Sequence, residues 1–127
     1  MNFLILIAGL FSLLSSLMHI IAGEKTDIVQ LLKTDIQLSQ KIELRGVWYA
    51  LGIDLAITGF LLLFIGFKSS LIGYELLILS ICIRFILYGI AILFTILITE
   101  KRYLFKLPQW ILLLVIGIVA WLDIYIS

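Results

Sequence analysis

The sequence predicts an all-α integral membrane fold: a four-transmembrane-helix up-down bundle with a short amphipathic interfacial segment between helices 1 and 2. Three observations predict it. Hydrophobic residues make up 64% of the 127 positions and charged residues 13%, against roughly 25% charged in a soluble domain. The mean hydropathy is +1.27. The apolar residues gather in four runs, at about 3–22, 47–67, 71–99 and 109–126, each near the roughly 20 helical residues that cross a hydrocarbon core about 30 Å thick. These runs are continuous and Leu/Ile-rich, whereas membrane strands alternate apolar and polar residues over segments of about ten. The chain, 1–127, therefore reads as a single transmembrane domain with an amphipathic loop at 24–46.

The first run lacks a basic stretch before it and a small-x-small cleavage site before "GEKTD", so it reads as a retained span rather than a signal peptide. Ala8, Ser12, Ser15, Ser16, His19 and Gly23 recur along it at helical spacing. Such a small and polar face suits packing against other helices. The segment that follows, "GEKTDIVQLLKTDIQLSQKIELRG", mixes four basic and four acidic residues with Ile28, Leu31, Leu32, Ile36, Leu38 and Ile42. One or two short helices on the membrane surface are expected, with Thr26 and Thr34 as N-caps, each before an aspartate suited to a first helical turn. The second and third runs follow, the third long enough to tilt or to project at its lysine-rich end. Pro108 opens the fourth, where a helix accepts proline. Gly52, Gly59, Gly89 and Gly117 are expected to mark close helix approaches.

Basic residues predict orientation. Lys25, Lys33, Lys41, Arg45, Lys101, Arg102 and Lys106 lie in the two longer connections and only Lys68 in the other. This asymmetry places loops 23–46 and 100–107 in the cytoplasm and both termini outside, in what reads as a bacterial cytoplasmic membrane. Trp48, Tyr49, Tyr103 and Trp110 fall at the inner boundary, and Tyr74, Trp121 and Tyr125 at the outer one. A net charge of +1 provides no basic stripe for nucleic acid. One cysteine, Cys82, and one histidine, His19, predict neither a disulfide nor a metal site, and no cofactor is expected.

The polar residues inside the spans carry the functional reading. Asp54 lies about 10 Å and Arg84 about 20 Å from the inner helix ends at about 1.5 Å per residue. A charge at bilayer depth costs about 2.5–3.5 kcal/mol on insertion scales, so each needs a partner. Arg84 can reach toward the interface, and the two are expected to pair. Ser80, Arg84, Tyr88 and Thr95 share one face of span three, as Asp54 and Thr58 share one of span two, and these faces are expected to meet inside the bundle. With His19 and the aromatic pair, the set His19, Trp48, Tyr49, Asp54, Arg84 and Tyr88 forms a candidate ligand-binding pocket, covered by the first loop. Alternatively the Asp54–Arg84 pair only fixes which helix faces meet. Glu75 and Asp123 sit near the outer helix ends, within reach of water.

Through "LMHIIAGEKTDIVQLL" and "LPQWILLLVIGIVAWL" the chain resembles a group of small four-span bacterial membrane proteins of unknown function. His19, Gly23, Leu31, Leu32, Trp48, Pro108, Gln109 and Trp110 carry the resemblance, which implies the fold and no activity. Tyr49 stands where the group suggests a second histidine, which speaks against metal or haem. Three functions fit the residues. The first is a protein that binds a lipid or other amphipathic small molecule, or serves as an accessory subunit of a larger membrane complex. The second is an oligomeric ion or small-solute channel or transporter using Asp54 and Arg84. The third, with least support, is a lipid-modifying enzyme with His19 as base and Asp54 orienting it; no nucleophile, metal set or phosphate loop accompanies them, so no catalytic residue is assigned.

Overall fold

The structure is a computed structural model and describes residues 1–126. Four long apolar helices dominate it, each with the length and composition to cross a membrane. Helix α1 (Phe3–Leu17) runs on through a π turn, Met18–Ala22, and a single α turn, Gly23–Lys25. A short helix α2 (Asp27–Leu32) follows, then α3 (Leu38–Gly66), α4 (Glu75–Thr99) and α5 (Gln109–Ile126). The expected integral membrane bundle is thus the observed one.

The largest departure lies in the first connection. Helix α3 begins at Leu38, nine residues before the expected start at 47. "LSQKIELRG" is made mostly of good helix formers, and the helix continues past the hydrocarbon region because nothing in it breaks the backbone pattern. At 29 residues it is about 43 Å long, against a hydrocarbon core of about 30 Å. Only α2 remains of the expected surface helices. Thr26 precedes it, but its hydroxyl bonds back to the Ala22 carbonyl and to Asp27 rather than to an amide of the first turn. Thr34 opens no helix: its hydroxyl donates to the Leu31 carbonyl and closes the end of α2. Lys41 Nζ, 2.9 Å from the Leu32 carbonyl, puts a cation at the same helix end. The third span, in contrast, starts later than expected, at Glu75 rather than 71, after a turn in which Gly73 takes the positive φ of 86°.

Close packing makes two antiparallel hairpins, α1 with α3 and α4 with α5, and α1 against α5 joins them. Each hairpin seam is set by glycine. A Cβ on Gly9 would meet Leu63 N at 2.9 Å, one on Gly59 would meet Leu13 Cγ at 2.6 Å, and one on Gly66 would meet Leu6 Cδ2 at 2.6 Å. Gly52, Gly59 and Gly66 recur every seven residues, facing Gly9, Ser12 and Ser16 of α1 and the π turn that continues it. Small residues at this spacing let the two backbones approach, and Ser12 and Ser16 donate to the carbonyls of Leu55 and Gly52 at 2.7 and 2.6 Å. In the second hairpin Gly89 and Gly117 allow the same approach, their Cβ positions lying 3.0 Å from the carbonyl oxygens of Trp110 and Cys82. All four glycines expected to mark helix approaches do so.

Helices α3 and α4 face each other mainly through side chains, and the core between the hairpins is built from residues such as Leu55, Leu62, Ile78, Phe85 and Ile116. At the end opposite the basic loops, Asp123 is buried, not water-exposed as expected, and its Oδ2 accepts the Ile5 amide at 3.0 Å. The first turn of α1 has four amides without helical partners, and a buried carboxylate at the end of α5 takes one of them. Asn2 adds two contacts to α3 and its turn, N to the Gly66 carbonyl at 2.8 Å and Nδ2 to the Lys68 carbonyl at 3.1 Å. Glu75 is exposed, and its carboxylate accepts the Gly73 amide.

Candidate functional site

At the basic end, the residues around the π turn form a fixed unit. A π turn shifts the backbone bonding from four residues to five and leaves carbonyls to be satisfied from outside. Here the His19 carbonyl accepts the Trp48 indole N–H at 2.9 Å, while His19 Nε2 lies 3.0 Å from the Trp48 carbonyl. The two rings stack with centroids 4.1 Å apart and planes 12° apart. Gly23 makes room for this stack, since a Cβ there would fall 2.4 Å from Trp48 Cζ2. Beside it, Glu24 accepts hydrogen bonds from both Arg45 and the Tyr49 hydroxyl, and Arg45 lies over the Tyr49 ring at 5.7 Å. These contacts lock the end of the first span onto the early turns of α3.

A cavity of about 450 Å³ opens beside this unit. Its walls are Ile28 and Leu31 of α2, Leu44, Val47 and Leu51 of α3, Ile92 of α4, and Leu107 before α5. Polar groups come from His19, Asp27, Trp48 and Gln109. Ile28 is almost wholly buried, so α2 closes one side as a lid of apolar side chains. The cavity lies at the basic end of the bundle, between α2, α3, α4 and the chain entering α5.

The second polar group is separate. Arg84 of α4 crosses the wider α3–α4 side, with Nη1 3.2 Å from Asp54 Oδ1 and Nη2 donating to the Thr58 hydroxyl. Both charged side chains remain about a third exposed, at 37% for Arg84 and 28% for Asp54. Asp54 Oδ2 and Arg84 Nε are nonetheless sealed from the surface without a hydrogen-bond partner. At about 1.5 Å per residue, Arg84 is roughly 12 Å along α4 from Ile92 at the cavity wall.

The six residues expected to share one pocket are therefore divided. His19 and Trp48 line the cavity. Tyr49 turns instead to Glu24 and Arg45. Asp54 and Arg84 make the cross-helix contact outside the cavity, and Tyr88 lies on the outer surface beside Phe85. The cause is helical phase: α4 turns its Ile78, Ile81, Cys82, Phe85 and Gly89 inward, which leaves Ser80, Tyr88 and Thr95 facing out and Arg84 at the boundary. His19 and Asp54 are not paired, since the imidazole is engaged by Trp48 and the carboxylate by Arg84. The apolar cavity walls and the Glu24–Arg45–Tyr49 cluster were not anticipated. The one signal for the walls is the spacing of Leu44, Val47 and Leu51, which continues the helical period of α3 back into the segment read as a loop.

Among the described residues, no three His, Cys, Asp or Glu side chains gather as a metal site would require. Comparison with protein-family models, curated proteins and solved structures finds no match.

Proposed function

We propose that the protein is a small-molecule-binding protein of the membrane that holds the apolar body of one amphipathic molecule in the cavity beneath α2. The observation that carries this reading is the cavity itself: about 450 Å³, walled mainly by leucine, isoleucine and valine, with polar groups only from His19, Asp27, Trp48 and Gln109. Its volume lies within the roughly 300–1,000 Å³ typical of ligand sites, and apolar walls with a few convergent polar groups are the usual pattern there. The seven-to-one excess of basic residues in the loops at this end supports placing it at the cytoplasmic leaflet, where membrane lipids are the nearest source of such molecules. The ion-pathway reading has less behind it, because Arg84 is held by Asp54 and Thr58 on the side of a single bundle.

The test is retention of copurifying amphiphiles. Protein purified in mild detergent is extracted and analysed by mass spectrometry for wild type, Leu44→Trp and Ile92→Trp, which fill the cavity from opposite walls, and Leu87→Trp, which lies outside the lining. A defined molecule near one per chain in wild type and Leu87→Trp, lost in both filling variants, is the expected result. Equal retention in all four proteins removes the cavity from the function.

A further inference from the structure

The chemistry at the cavity rim narrows what the polar end of such a molecule is, and this step rests on the cavity reading above. We infer that the occupant is an uncharged amphiphile bearing a hydroxyl donor, such as a long-chain alcohol or a monoacylglycerol, whose hydroxyl bonds to Nδ1 of His19.

Charge is the first argument. Asp27 is the one lining residue with a full charge, and no lysine or arginine lines the cavity. A phosphate or carboxylate headgroup would therefore leave water with no basic side chain in the lining to compensate it, and burying an unpaired charge is costly. Basic side chains near the rim have other contacts: Arg45 bonds to Glu24 and Tyr49, Lys41 to the Leu32 carbonyl, and Lys106, next to Leu107, lies over the Tyr103 ring at 5.4 Å. Asp27 itself lies on the exposed surface, where water screens it, and accepts from the Thr26 hydroxyl, so its pull on a cationic headgroup is weak.

Ring geometry is the second argument. Nε2 points at the Trp48 carbonyl, which can only accept, so Nε2 carries a proton. The neutral ring then offers Nδ1 as an acceptor. The Cδ2 atom faces Gly52, 3.5 Å from the position of a Cβ there. Nδ1 lies on the opposite edge of the ring, is not among the buried polar atoms sealed without a partner, and belongs to a residue that lines the cavity; the ring's only hydrogen-bond partner among the described residues is Trp48. The stack on Trp48 prevents the ring from turning this acceptor elsewhere.

The experiment measures retention of four labelled probes with one sixteen-carbon tail by the protein in phosphatidylcholine nanodiscs: hexadecanol, its methyl ether, palmitate and hexadecyltrimethylammonium. Hexadecanol is expected to be retained about tenfold better than the ether, the size of effect of one unmade hydrogen bond in an apolar site. His19→Phe, which keeps a stacking ring, is expected to reduce hexadecanol to the level of the ether and leave the ether unchanged. Equal retention of alcohol and ether, with both lost in Leu44→Trp, overturns the hydroxyl assignment while leaving the cavity reading intact. Preferred binding of palmitate or of the ammonium overturns it as well. Retention of no probe, or retention indifferent to Leu44→Trp, overturns both. The alcohol–ether comparison in wild-type protein needs no variant, so poor folding of His19→Phe leaves the test standing.

Discussion

Gly59→Ala should destabilise the bundle, although alanine is the better helix former. The added methyl carbon would lie 2.6 Å from Leu13 Cγ, 2.8 Å from Leu13 Cδ2 and 2.9 Å from Leu13 N. The leucine side chain can swing aside, but the backbone nitrogen moves only if α1 moves. Gly9 prevents a small local adjustment, because its own Cβ position is 3.0 Å from the Gly59 carbonyl and the two backbones are already in contact. Overpacking of this kind costs about 1–3 kcal/mol. Moving α1 outward also stretches the Ser12 and Ser16 hydrogen bonds, each worth about 0.6 kcal/mol within a membrane bundle. Against this stands the helix-propensity gain of alanine, about 1 kcal/mol at most and less in a denatured state that keeps its helices. The expected net loss is about 1–2 kcal/mol. Gly46→Ala is the matched control: nothing lies within 4 Å of its Cβ position, so only the propensity gain applies. The assay is unfolding in dodecyl maltoside with increasing dodecyl sulfate, followed by tryptophan fluorescence and far-UV circular dichroism. The seam argument fails if Gly59→Ala is as stable as Gly46→Ala.

Three further outcomes are expected. Arg84→Met and Asp54→Asn should each lower stability by about 1–2 kcal/mol, discounted from fully buried pairs because both side chains are partly exposed, and the double variant should recover at least half of the summed loss; simple additivity in the same unfolding assay would show that the contact has no coupling energy. Trp48→Phe keeps a ring on His19 but removes the indole N–H, and should cost about 1 kcal/mol; an unchanged midpoint would mean that the His19 carbonyl finds another donor. Asp123→Leu should release the Ile5 amide, raising its hydrogen-exchange rate well above wild type, whereas Asp123→Asn retains an acceptor oxygen and should fall between the two; identical exchange in all three would dissociate this carboxylate from the start of α1.

The four spans were legible because length and hydropathy are all that a bilayer requires of them. The glycines and serines of the α1–α3 seam were legible too, since in an apolar run a small residue contrasts with every neighbour. Helix ends were not. "LSQKIELRG" reads by composition as part of an amphipathic surface segment, and only its unbroken helical period places it on α3. The cavity was hidden for a different reason: Leu51 or Ile92 facing a cavity has the same hydropathy as Leu87 facing lipid, so only the positions of the helices separate them. Asp123 was misjudged because its nearness to a helix end suggested water, whereas the end of α5 packs over the first turn of α1.

The two sides of the bundle differ in mechanical character. Between α1 and α3 the backbones touch through glycine along most of their length, so this side has no slack to give. Between α3 and α4 one arginine reaching Asp54 and Thr58 is the polar tie across side-chain packing. Strain across the bundle would therefore be taken up between α3 and α4 rather than within the glycine-bound hairpin. The bundle thus has one side whose backbones are in direct contact and one side bridged by a single arginine side chain.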